Sequence, residues 1–196
     1  MRFPSHLEVT KMQDLSAHIM DIAQNSVRAE ATKIEIDIEE NIIKDLFSIT
    51  IRDNGCGMDA ETLDRVTEPF FTSRTVRRVG LGIPLLKQNA EQTGGSLTIS
   101  SREGEGTTIQ AIFSHSHLDR PPVGNIANTV VLLVASNPDI RFVYRHVTEK
   151  GKYLFDSKEV KDFLEGVPVN DPEIVLALQQ MIEENLKEIT YTTNQP

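Results

Sequence analysis

The stretch Asp53-Asn54-Gly55-Cys56-Gly57-Met58 (DNGCGM, residues 53–58) decides the reading of this chain. It follows FSITIR at 47–52, in which Phe47, Ile49 and Ile51 alternate with other residues, the pattern of a half-buried strand. Two glycines two positions apart let the backbone turn sharply and come close to a flat ligand. Asp53, at the end of the strand, offers a carboxylate that can accept a hydrogen bond from an exocyclic amine. Taken alone, Asp-Asn-Gly is equally an ordinary surface turn.

Upstream, residues 33–39 (KIEIDIE) alternate strictly, with Ile34, Ile36 and Ile38 on one face of a second strand. Before it, residues 12–29 read as a helix. Met12, Leu15, Ile19, Ile22 and Ser26, with Ala23 beside them, follow the 3- and 4-residue spacing of one face, and Asp14 is in place to cap it. His18, Asp21, Asn25 and Arg28 form a polar stripe beside that face. An Asn carbonyl oxygen is a hard ligand suited to Mg²⁺ that also takes phosphate oxygens. A carboxylate one turn away can activate a water or a hydroxyl. Most polar stripes are simply solvated, so this segment alone decides nothing.

Downstream, a short helix is expected at 59–66 and an irregular segment with Arg74, Arg77 and Arg78 at 69–79. Gly80-Leu81-Gly82-Ile83 then opens a helix that runs to about Gln92, with Pro84 tolerated in its first turn and Thr93-Gly94-Gly95 ending it. A helix begun by glycines presents free N–H groups and a positive dipole end to phosphate. Leu97 and Ile99 mark a strand, Gly104-Glu105-Gly106 a turn, and Thr107, Ile109, Ala111 and Phe113 a further strand. Residues 118–125 (LDRPPVGN) are the most linker-like stretch. Beyond them, 126–135 reads as a helix capped by Asn125, with a buried strand as the alternative. Residues 139–147 and 152–156 read as a hairpin and 157–165 as a helix. Residues 172–189 read as a helix capped by Asp171, with Ile174, Leu178, Met181, Ile182 and Leu186 on one face.

These elements predict an α/β (α+β) two-layer sandwich, with helices on one face of a mixed, mostly antiparallel sheet. Two regions are expected, 1–117 and a smaller α+β extension at 118–196. The net charge of −9 is spread over both, so no basic face points to nucleic acid. One cysteine makes no internal disulfide, and no stretch has the ~20 apolar residues of a membrane span. With no signal-peptide pattern at the N-terminus, a cytoplasmic protein is expected.

The order of the motifs is more specific than any one of them. Asp21…Asn25, DNGCGM, EPFFTSR at 68–74, GLGI at 80–83 and GEGTT at 104–108 together resemble the motif set of the gyrase, heat-shock chaperone, histidine kinase and MutL ATPases. Within this histidine kinase-like (GHKL) superfamily, the chain looks most like the ATP-binding domain of bacterial histidine kinases and anti-sigma-factor serine kinases. The resemblance covers about residues 12–114 and implies the Bergerat ATP-binding fold, with ATP and Mg²⁺ as cofactors.

By that resemblance Asn25 is the magnesium ligand and Asp21 the acidic residue that acts as general base or orients the attacking group. The family usually has Glu there, one methylene longer. Arg28 matches a basic position used on the phosphates. Asp53 matches the adenine-reading carboxylate, Gly55 and Gly57 the glycines beneath the base, and Met58 an apolar residue of its pocket. Thr107 matches the threonine that joins Asp53 and the adenine through water. Phe71 and Thr72 belong to the phenylalanine motif, Arg74 to the ATP-lid segment, and Gly80, Leu81, Gly82 and Ile83 to the phosphate-facing glycine motif.

A sensor histidine kinase needs a dimerising helical hairpin with a phosphoacceptor histidine, and with about 15 residues before the first helix a self-contained histidine kinase is not expected. The resemblance then implies a regulatory kinase or phosphotransferase acting on a separate protein partner. The alternative is an ATP-gated interaction module with slow or no hydrolysis. A homodimer is compatible with either. A third possibility, a structural protein that has lost the nucleotide, is disfavoured by the presence of Asn25, Asp53 and the glycines.

Overall fold

The strands β1 (Lys33–Asn41) and β2 (Leu46–Asp53) are antiparallel neighbours, with Ile36 opposite Ile51 and Ile38 opposite Ile49. This register places the apolar residues of both strands on the same face, where Ile34, Ile36, Ile38, Phe47, Ile49 and Ile51 are all buried. β3 (Ser96–Arg102) and β4 (Gly106–Ser114) extend the sheet on the β2 side, with Phe47 opposite Phe113 and Ile51 opposite Ile109. On the other side, β5 (Arg141–Val147) runs parallel to β1 and β6 (Lys152–Asp156) returns antiparallel to β5. One mixed sheet results, of order β3-β4-β2-β1-β5-β6. Strands from both sequence regions therefore share it. The computed structural model from which this is read describes residues 14–68 and 82–190.

Six helices accompany the sheet among the described residues: α1 (Leu15–Arg28), α2 (Ala60–Arg65), α3 (Gly82–Gln92), α4 (Ile126–Ser136), α5 (Ser157–Phe163) and α6 (Pro172–Ile189). Asp14 caps α1 by accepting the Ala17 N–H at 2.8 Å, and Asn125 caps α4 by accepting that of Asn128 at 2.9 Å. The helical reading of 126–135 is thus the correct one. Leu15, Ile19, Ile22 and Ala23 of α1 and Ile126, Val130, Val131, Leu133 and Val134 of α4 join the strands in one core. Each buried Leu, Ile or Val among them contributes roughly 1.5–3 kcal/mol by its removal from water. α4 lies between α1, α6 and β5, so it is apolar on nearly all sides.

The opposite sheet face is polar. Asp37 pairs there with Arg52 at 2.6 Å and Arg145 at 2.8 Å, and Lys33 with Glu35 at 2.9 Å. Exposed pairs of this kind add little stability, so they solubilise the face more than they hold it.

Three local expectations differ from the structure. The linker-like 118–125 stretch is docked on the molecule: Pro122 and Val123 carbonyls accept the N–H groups of Leu15 and Ser16, both at 2.9 Å, and the Arg120 guanidinium stacks 4.7 Å over the Phe47 ring. Met181 is partly exposed on α6, while Leu178 and Ile182 carry the burial. His18 is fully buried, because α3 covers the side of α1 that the sheet does not.

Candidate functional site

Asp53 ends β2 on the helix-facing side of the sheet, opposite Thr107 of β4. Three donors hold its carboxylate. Ser26 Oγ donates to Oδ2 at 2.6 Å, and the Gly55 and Thr107 N–H groups donate to Oδ1 at 3.0 and 3.3 Å. A hydrogen bond to a charged group is stronger than one between neutral groups, and three of them fix the carboxylate's direction. α1, β2 and β4 thereby meet at one anion.

The loop after Asp53 is pinned from both sides. Its Cys56 N–H donates to the Ala29 carbonyl at 2.8 Å, and its Cys56 carbonyl accepts the Gly104 N–H at 2.7 Å. Asn54 Oδ1 accepts the N–H groups of Thr32 and Lys33 at 2.9 and 2.8 Å. Gly57 has φ 68°, and a Cβ there would lie 2.0 Å from the Arg102 carbonyl oxygen. No other residue fits that turn without moving backbone. The Met58 N–H donates to Ser101 Oγ at 2.9 Å, and Ser101 in turn donates to the Gly106 carbonyl and lies 2.9 Å from Thr107 Oγ1. Asp53, Gly55, Met58 and Thr107 thus belong to one hydrogen-bonded set, with Gly57 in the loop between them.

On α1 the polar stripe divides by environment. Asp21 is half-buried, while Asn25 and Arg28 are exposed at the helix's C-terminal end. Arg28 Nη2 donates to Asn25 Oδ1. Asp21 packs against the first residue of α3: a Cβ on Gly82 would stand 1.9 Å from Asp21 Oδ2. Ile83, next along, packs against the core. The start of α3, whose first N–H groups have no partner within the helix, therefore lies directly against the acidic residue of α1. Phe71, Thr72, Arg74, Gly80 and Leu81 lie outside the described residues, so the phenylalanine motif and the lid arginines have no place in this geometry.

Ser26 and Ser101 were not legible as site residues. Ser26 stood in the sequence as a small member of the apolar face, and a hydroxyl at that position, next to Asn25, was the available signal. Ser101 carried none, since its role depends on where the β3–β4 pairing sets it.

A strand-end carboxylate, a glycine loop beside it and a helix start facing an acidic stripe stand together on the helix side of an α+β sandwich. A model of the histidine kinase-, DNA gyrase B- and HSP90-like ATPases matches residues 11–117, more than half of the chain. The chain belongs to that family.

It is 35% identical over 118 residues to a sensor protein of Shewanella frigidimarina, and 30% identical over 115 residues to a C4-dicarboxylate sensor kinase of Bacillus subtilis. These matches cover 59% and 57% of this chain but 18% and 21% of those proteins, so the chain spans about a fifth of their length. Among solved structures, the N-terminal domain of a DNA repair protein superposes with a TM-score of 0.55 at 18% identity, over 74% of this chain and 52% of that one. That likeness is one of fold. No helix among the described residues is long and apolar enough to cross a membrane.

Proposed function

We propose that the chain binds Mg-ATP at this site and transfers its terminal phosphoryl group to a separate protein. The observation that carries the reading is the contact between Asp21 and Gly82, which sets a carboxylate beside the α3 N-terminus with Asn25 one turn away. Asp53, held by Ser26, Gly55 and Thr107, is suited to accept the adenine amino group, with Gly55, Gly57 and Met58 beneath the base. Asn25 Oδ1 would ligate magnesium, which neutralises phosphate charge. Asn25 is exposed, its amide oxygen suits a hard cation, and Arg28, which donates to that oxygen, can turn to the phosphates. The first turn of α3 supplies N–H groups to the phosphate oxygens. Asp21 then accepts the proton of the attacking hydroxyl.

Radiolabelled ATP incubated with the chain and the products of neighbouring genes tests this reading. Transfer of label to one of them, lost in Asp21→Asn, is the expected result; no transfer to any overturns it. The Asp side chain at position 21, shorter than the family's usual Glu and packed on Gly82, favours a second reading as an ATP-gated interaction module. That reading predicts saturable binding, lost in Asp53→Asn, without turnover above background.

A further inference from the structure

His18 is fully buried, and no step proposed above uses it. It lies on α1 one turn before Asp21, and its Nε2 is 3.1 Å from Nδ2 of Asn89, two turns into α3. The same two helices touch again where Asp21 meets Gly82. Two contacts fix how far α3 can slide or roll on α1, and one of them is at the site itself. We propose that His18 is a positioning residue of the nucleotide site: by holding Asn89 it keeps the start of α3 against Asp21. This rests on the reading of the Asp21–Gly82 contact as part of the Mg-ATP site.

The contact has a chemical polarity. The Asn89 amide N–H donates to Nε2, which must then be an unprotonated acceptor. The ring proton therefore sits on Nδ1, which is buried with no hydrogen bond of good geometry among the described residues, although the Gly82 backbone lies near the ring. Protonating Nε2 would set two donors against each other and place a charge in the core.

The charged groups near the ring are Asp14 and Asp21, on its own helix side; from α3 come the Gly82 backbone and the Asn89 amide. Lys87 and Glu91, the charged residues of α3, face each other at 4.0 Å on its exposed side. Burial pushes the His18 pKa down and outweighs the Gly82 backbone and both aspartates, which favour the charged ring. The neutral ring, and the helix register it maintains, is thus the state at neutral pH. The contact fails as pH falls from 6.5 through the lower value of the folded protein.

Mg-ATP affinity, measured by calorimetry from pH 7.5 to 5.5, tests the proposal in wild type, His18→Gln and His18→Leu. Titration of ATP itself is common to all three and cancels between them. Gln keeps an acceptor for Asn89 and does not titrate. It should bind within about threefold of wild type at pH 7.5 and lose less affinity than wild type on acidification. Leu, which has no acceptor, should bind more weakly at both pH values while its circular dichroism stays native. Equal pH profiles for wild type and Gln, or wild-type affinity in Leu at pH 7.5, overturn the proposal.

Amide exchange in Gly82–Gln92 separates the two readings. If wild type binds no Mg-ATP at pH 7.5, the site assignment fails. The register role is then judged by whether α3 protection falls in acid for wild type and not for Gln. Equal protection in both overturns it.

Discussion

Glu40 and His146 stand 106 positions apart in the chain, yet Glu40 Oε1 accepts the His146 Nε2–H at 2.8 Å. His146 Nδ1 accepts in turn from Tyr144 Oη at 2.7 Å, and Glu40 Oε2 lies 3.3 Å from His115 Nε2. Glu40 continues the row Ile34, Ile36, Ile38 on the core face of β1, and His146 continues Phe142 and Tyr144 on β5. The apolar face of the sheet thus ends in a carboxylate at each end, Asp53 at one and Glu40 at the other. His115, the residue after β4, is also drawn into this network.

Glu40→Leu should destabilise the protein by about 1–3 kcal/mol, because the buried His146 Nε2–H would lose its partner. Urea unfolding at pH 7 measures this. A loss under 0.5 kcal/mol, roughly the scale of a surface change, would contradict it.

The same carboxylate makes a pH prediction. Burial raises its pKa, but hydrogen bonds and charge from His146 and His115 outweigh burial and hold it below the usual 4.5. A depressed carboxylate stabilises the fold above its unfolded value, and that stability is lost as pH falls through the folded value. The melting-temperature gap between wild type and Glu40→Gln should therefore be full at pH 6 and shrink below 4.5. A gap that widens in acid would have the wrong sign.

Ser26→Ala removes the shortest hydrogen bond to Asp53 and leaves Oδ2 without that donor. If Asp53 reads adenine, nucleotide affinity should fall roughly tenfold, the scale of one hydrogen bond to a charged group. Titration calorimetry with Mg-ADP is the check, and unchanged affinity would remove Ser26 from the site.

Gly82→Ala separates folding from function. Alanine is the better helix former, so the substitution should cost little stability. Its methyl must displace the Asp21 carboxylate, so any phosphotransfer should drop by an order of magnitude or more, with nucleotide binding less affected. Paired melting and transfer assays decide it; equal loss in both would make the contact merely structural.

Gly57→Ala should behave differently. Its Cβ meets backbone that cannot swing aside, and its φ is left-handed, so a loss of about 2 kcal/mol or more is expected in urea unfolding.

Much of this was legible in local pattern. Alternation in 33–39 and 47–52 specified strands whose apolar faces the register aligns, and the caps at Asp14, Asn125 and Asp171 act as their residue types suggest. Asp53, Gly57 and Gly82 stood out because glycine and strand-end chemistry is written in a few adjacent residues. The parallel β1–β5 pairing was not legible, since no nearby residue encodes a partner more than 100 positions away. Nor was the burial of His18. A helical wheel shows which residues share a face, and it does not show that a second helix covers the neighbouring face.

The β1–β5 pairing also bears on where the chain can be cut. The segment that matches the family, 11–117, stops before β5 begins. Excised there, it would present β1 as a bare rim, with isoleucines beneath and unpaired amides along its length, a surface that recruits further strands and aggregates. Anyone borrowing this module for a fusion or a minimal enzyme should carry the hairpin and α4 with it. In this chain the part recognisable by ancestry and the part that closes on itself have different lengths.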